Sequence, residues 1–151
     1  MIDGVITKEL KVISDARGYL MEIFRRDDPF FKQFGQAYLS VAYPGRVKGW
    51  HYHKIQTDHF AVVKGMGKVV LYDRREGSPT HGEVNELFIG DRRPMLVRIP
   101  PGVLHGIKGI GTEPVLLLNI PDEVYNYNEP DEYRVSPHSG EVPYDWSDVD
   151  G

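Results

Sequence analysis

Gly45-Arg-Val-Lys-Gly-Trp-His51-Tyr-His53-Lys-Ile-Gln-Thr-Asp58, closed by Gly65 and answered downstream by Pro100-Pro-Gly102-Val-Leu-His105, is the stretch on which the fold turns. Successive side chains of a strand point to opposite faces, so His51 and His53 share one face and Trp50 and Tyr52 the other. Asp58 falls in the next expected strand on the parity of Phe60 and Val62, and His105 follows a Pro-Gly turn on the parity of Val103 and Ile107. The pattern spans four strands and predicts a small β-barrel whose polar side chains turn into one cavity.

Outward from that stretch the chain is punctuated about every 8 to 12 residues by Gly, Pro or Asp, the rhythm of an all-β sandwich or barrel. Short β-branched and aromatic runs lie between: Val5 to Ile13, Tyr19 to Phe24, Tyr38 to Tyr43, Trp50 to His53, His59 to Lys64, Lys68 to Tyr72, Val84 to Ile89, Met95 to Ile99, Val103 to Lys108 and Val115 to Ile120. Gly65-Met-Gly67 reads as a hairpin turn. Only Asp28 to Phe34 has helical spacing, with Phe30, Phe31 and Phe34 behind an Asp cap and a first-turn Pro29. From Pro121 the composition shifts to Asp, Glu, Tyr, Asn and Pro, an irregular tail expected to lie across the barrel mouth. The expectation is one domain over residues 1–151, with the barrel core at about 37–120 and the tail at about 121–151.

Composition narrows the function classes. A chain of 151 residues with 40% hydrophobic and 26% charged content is an ordinary globular protein. The apolar run Val115 to Ile120 is far shorter than a bilayer span of roughly 20 residues, and Met1 to Glu9 has no signal pattern, so no membrane partner and a cytoplasmic location are expected. With no cysteine, any metal needs His and carboxylate ligands. A net charge of -4 gives no general attraction to nucleic acid.

The spacing Gly45, His51-x-His53, Asp58, Gly65 resembles the first motif of the cupin superfamily, with Asp where Glu is usual, and Pro100-x-Gly102-x-x-His105 resembles the second. The fold this implies is the cupin double-stranded β-helix, a jelly-roll barrel. A narrower resemblance covers nearly the whole chain. Asp15-Ala-Arg17-Gly18-Tyr-Leu-Met-Glu22, Val47-Lys48-Gly49-Trp50-His51-Tyr52, Asp73 to Gly82, Ile99 to Gly106 and Tyr127-Asn-Glu-Pro-Asp-Glu132 are similar, in order, to signatures of the dTDP-4-dehydrorhamnose 3,5-epimerases.

That resemblance implies an isomerase acting on a nucleotide-activated 4-keto-6-deoxy sugar, with His51 as base, Tyr127 as acid, no cofactor, and a homodimer. Arg17, Glu22, Lys48, His53 and His105 match substrate-binding positions. On a regular strand Lys48 has the parity opposite to His51, so its role requires a bend at Gly49. The family's catalytic lysine aligns with Asp58, which reverses a charge; Asp58 is then a candidate to orient His51, as are Asp145, Asp148 and Asp150. The run from Gly49 to Lys54 also resembles the sugar-nucleotide 3,4-ketoisomerases. As an alternative, His51, His53, Asp58 and His105 form the three-histidine, one-carboxylate set with which metal cupins hold a divalent metal ion. A non-catalytic sugar-binding module is the least favoured reading. His59, on the parity opposite Asp58, is read as structural, and His81 and His138 as solvated turn residues.

Overall fold

Alternating runs separated by turn residues fold into strands alone: the computed structural model, which describes residues 1–148, has no helix among them. The strands are β1 (Ile6–Glu9), β2 (Val12–Asp15), β3 (Gly18–Met21), β4 (Tyr38–Ala42), β5 (Val47–Tyr52), β6 (Asp58–Lys64), β7 (Met66–Asp73), β8 (Val84–Gly90), β9 (Met95–Ile99), β10 (Val103–Ile110), β11 (Val115–Asn119) and β12 (Tyr133–Arg134). Two five-stranded sheets, ordered β1-β9-β6-β11-β4 and β12-β5-β10-β7-β8, face each other, and β2 and β3 form a separate hairpin. All strand pairs are antiparallel. This is the double-sheet jelly roll expected from the sequence.

Side-chain parity sorts the apolar residues into three layers. Inward-facing Val62, Val69, Leu71, Ile89, Val97 and Val115, with their neighbours, fill the space between the sheets. The outer face of the second sheet presents Trp50, Val70 and Leu104, which the tail covers with Val135, Val142 and Trp146. The outer face of the first sheet presents Ala61 and Leu96, covered by Leu10, Met21, Ile23, Phe24 and Phe30. Both termini are thus used to bury sheet faces that would otherwise meet water. The tail runs along the cavity mouth, adds β12 beside β5, and then packs Trp146 against Trp50 at 4.9 Å between ring centroids.

Two sequence-based expectations are corrected. Asp28 to Phe34 is a turn that runs on into irregular chain, not a helix: the segment is too short to offset helix nucleation, and its pieces have other partners. The Asp28 carboxylate accepts hydrogen bonds from Lys8 Nζ at 2.7 Å and Arg25 N at 2.9 Å, and Phe30 packs on the sheet beside Phe24. Val5 to Ile13 is two strands instead of one. The break follows from Leu10, which turns inward beneath the hairpin while its backbone N bonds Pro94 O at 3.0 Å.

The bend expected at Gly49 is present as a β-bulge. His51 pairs with His105 but Lys48 with Ile107, so β5 spends one residue more than β10 between the two pairs. The extra residue flips the parity and brings Lys48 to the same side as His51. Glycine is required because the backbones nearly touch: a Cβ on Gly49 would stand 2.8 Å from Gly106 Cα. Because Trp146 is only 2% exposed, Trp146→Ala is expected to cost about 3–5 kcal/mol in urea unfolding; a loss below about 1 kcal/mol would show that the tail lies outside the cooperative core.

Candidate functional site

One end of the space between the sheets is lined by polar side chains instead of aliphatic ones, and it opens as a cavity of about 800 Å³. The boundary is Phe60, whose ring meets His105 edge-on at 5.3 Å. Lys48, His51, His53, Asp58, His105 and Tyr127 all line this cavity. Arg17 and Glu22 do not: Arg17 caps the β2–β3 hairpin, 90% exposed and paired with Asp15 at 2.6 Å, and Glu22 pairs with Arg25 at 2.6 Å.

Asp58 is the centre of the polar end. Its Oδ2 lies 3.1 Å from His53 Nε2 and 3.2 Å from His105 Nε2, and its Oδ1 accepts from Gln56 Nε2 at 2.7 Å and Asn119 Nδ2 at 2.9 Å. Burial alone would raise this carboxyl; the bonds from His105 and His53 overcome burial and hold it well below the usual carboxylate range. Both histidines are fixed from behind. His53 Nδ1 donates to the Asp131 carbonyl and His105 Nδ1 to the Val103 carbonyl, the latter at 3.1 Å. Asp131 in turn accepts the backbone N–H groups of Lys54, Ile55 and Gln56 at 2.8 to 2.9 Å, tying the turn after β5 to the tail. Burial lowers the His53 imidazole, but the hydrogen bond and charge of Asp58 outweigh it and push it up to about 8.

His51 stands apart from this cluster. Its Nδ1 lies 3.1 Å from Glu132 Oε1, which also accepts from Arg134 Nη2 at 2.9 Å. A carboxylate accepts, so Nδ1 carries the hydrogen and Nε2 keeps the lone pair. Burial, and then neighbouring His105, push the ring down to about 4 despite Glu132. His51 is therefore neutral near pH 7, with its basic nitrogen free. The carboxylate behind it is Glu132, not Asp58. Asp145 bonds Ser147 and Asp148 bonds Lys108 instead, and Asp150 lies outside the described residues. Glu132 carried its signal in the sequence as the last residue of the Tyr127 to Glu132 motif, but only the pairing of Arg134 with His51 across β12 and β5 places it.

The remaining expected residues divide. Lys48 reaches into the cavity and donates to Ser40 Oγ at 2.6 Å. Tyr127 stands at the rim, 87% exposed, edge-on to Tyr125 at 5.0 Å. His59 faces the outer side, stacked on Phe24 at 4.4 Å. Of the four-residue metal set, His53, Asp58 and His105 bring their ligand atoms within 4.8 Å of one another, and His51 lies outside that group among the described residues. Two imidazole nitrogens and one carboxylate oxygen fit a borderline divalent ion in donor type.

The chain is similar to known proteins along nearly its whole length. The family described as polysaccharide biosynthesis C-terminal domain matches residues 13–133. The probable low-salt glycan biosynthesis epimerase of Haloferax volcanii is 43% identical over 97% of this chain and 95% of its own length. The spore coat polysaccharide biosynthesis protein SpsL of Bacillus subtilis is 40% identical over 97% of each. A dTDP-4-dehydrorhamnose 3-epimerase of Streptomyces niveus is 30% identical over 96% of this chain and 72% of its own. Among solved structures, a dTDP sugar isomerase of Desulfovibrio desulfuricans superposes with a TM-score of 0.92 at 35% identity, over 99% of this chain and 94% of that one.

The two neighbouring imidazoles are expected to titrate apart. In an NMR titration of the chelator-treated protein, His51 should remain neutral until the pH falls to about 4, and His53 should keep its proton until the pH rises to about 8. Two rings titrating together near the unperturbed value of about 6.5 would contradict the assigned partners.

Proposed function

Because the chain belongs to the polysaccharide biosynthesis C-terminal domain family and to the dTDP-4-dehydrorhamnose 3,5-epimerase-like cupins, we propose that it inverts a carbon beside the ketone of a nucleotide-activated 4-keto-6-deoxy sugar. It is a sugar-nucleotide epimerase or isomerase of glycan biosynthesis. The observation that carries the finer reading is His51, neutral and backed by Glu132 in a cavity large enough to admit a hexose.

In that reading His51 Nε2 removes the α-proton. Glu132 holds the ring in the required tautomer and stabilises the imidazolium as it forms. Lys48, on the same side as His51, faces the oxygen on which the enolate charge develops and takes over the electrostatic part of the lysine that Asp58 replaces. His53 and His105 have both ring nitrogens occupied by protein groups; they shape the cavity floor through Asp58 instead of gripping the sugar directly. The resemblance assigns the return of the proton to Tyr127. Arg17 and Glu22 are remote from the cavity of their own chain, so their part in substrate binding requires a second copy, and the active species is a homodimer. No cofactor is needed for this chemistry.

A second reading has a specific observation in its favour, the convergence of His53, Asp58 and His105. A divalent ion held there would polarise the ketone as a Lewis acid, leaving His51 and Glu132 as the proton-transfer pair. The 3,4-ketoisomerase reading uses the same proton removal and differs in where the carbonyl ends.

Incubation with a dTDP-4-keto-6-deoxyhexose in heavy water, followed by NMR, separates these readings. Deuterium is expected at C3 or C5, with inverted product; a carbonyl that moves to C3 marks the isomerase. His51→Ala should abolish exchange, and Glu132→Gln should slow it by about 10²–10⁴-fold. Exchange that survives in His51→Ala would overturn the base assignment. The activity should withstand a chelator, and its loss together with stoichiometric bound metal would establish the second reading. Arg17→Ala should raise KM with little change in kcat while the protein still sediments as a dimer; an active monomer would remove the cross-subunit role.

A further inference from the structure

Inversion requires a proton donor on the face of the sugar opposite the base, and the cavity wall carries a phenol that no motif marks. Tyr38 opens β4, at the edge of the first sheet, whereas His51 lies on β5 of the second, so the two line the cavity from different sheets. Inward parity along β4 runs Tyr38, Ser40, Ala42, and Ser40 on that face already meets Lys48.

The hydrogen bonds around Tyr38 leave its proton unspent. Its oxygen accepts from Asn119 Nδ2 at 2.9 Å, and the same amide nitrogen donates to Asp58 Oδ1 at 2.9 Å. Both amide hydrogens of Asn119 are thereby committed, and its carbonyl oxygen accepts from His59 N at 3.1 Å. A phenol offers one donor and accepting lone pairs. Asn119 engages the accepting side, and among the described residues no protein group takes the O–H. Asn119 itself is fully buried, so the position of the phenol oxygen is set by the core. Burial, reinforced by the negative charges of Asp58 and Glu132, pushes the phenol up to about 12, so it keeps its proton throughout the working range. Tyr127, in contrast, is 87% exposed at the rim, against 43% for Tyr38.

We propose that Tyr38, not Tyr127, reprotonates the enolate on the face opposite His51, with Asn119 as its positioning residue. This rests on the epimerase reading above and assigns one of its steps. His51 Nε2 takes the α-proton, the C–H electron pair becomes the enolate double bond, and the ketone oxygen takes the negative charge. The Tyr38 O–H bond then breaks, its proton forms the new C–H bond on the other face, and the carbonyl reforms. The phenolate regains a proton from water and His51 releases one to water, so the enzyme returns to its starting state.

The test compares wild type, Tyr38→Phe and Tyr127→Phe on a dTDP-4-keto-6-deoxyhexose in heavy water, reading deuterium entry and inverted product separately. Phe fills the same space and leaves His51 intact. Tyr38→Phe should therefore still exchange the α-proton within about tenfold of wild type, returning deuterium to the original face, while inversion falls by about 10²-fold or more. Asn119→Ala should lower the ratio of inversion to exchange in the same direction by a smaller factor. An unchanged ratio in Tyr38→Phe, equal loss of both readouts, or uncoupling in Tyr127→Phe instead would each overturn the assignment. Wild type that neither exchanges nor inverts would overturn the epimerase reading itself, and Tyr38's role with it.

Discussion

A single buried carboxylate organises the polar end of the barrel. Asp58 is 1% exposed and accepts four side-chain contacts, from His53, His105, Gln56 and Asn119, which come from both sheets and the turn after β5. A buried charge without such partners would be strongly destabilising, and a half-satisfied set would be worse than an apolar core. The four contacts saturate both oxygens and so offset the cost of burying the charge. The carboxylate also divides the histidines: two imidazoles are drawn to Asp58, and the third is left to Glu132.

That division underlies the proposed chemistry. Each ring nitrogen of His53 and His105 faces a protein oxygen, whereas His51, with one nitrogen held by Glu132, keeps the other free. The bulge at Gly49 turns Lys48 toward the same side as His51, so a cation stands on the side of the proposed base. The C-terminal tail completes the arrangement: it supplies Glu132 to His51, Asp131 to the turn after β5 and Trp146 to the outer sheet face.

Much of this was legible before any coordinates. Period-two alternation placed His51, His53, Asp58 and His105 on inward faces and His59 on an outward one, because inward and outward faces of a sheet are separated by parity alone. The need for a bend at Gly49 followed from the same rule once the resemblance had assigned Lys48 to the site. What periodicity could not reach was anything carried by irregular backbone. Glu132 and Asp131 sit in a tail without a repeat, and their partners are set by a two-residue strand pairing. The Phe30 segment had helical spacing but belongs to a cover layer, where packing against His59 and Phe24 outweighs local propensity. Asn119 and Tyr38 were within reach of the parity argument. Asn119 ends β11 on its inward side, a polar residue where an aliphatic one was due.

The most direct measurement is a crystal structure of the protein soaked with a dTDP-linked hexose. The account predicts the hexose between β4 and β5, with a carbon adjacent to the ketone position about 3–3.5 Å from His51 Nε2 and Glu132 still on Nδ1. A hexose lodged outside the barrel, or a His51 ring drawn into a metal's coordination sphere beside His53, Asp58 and His105, would contradict it.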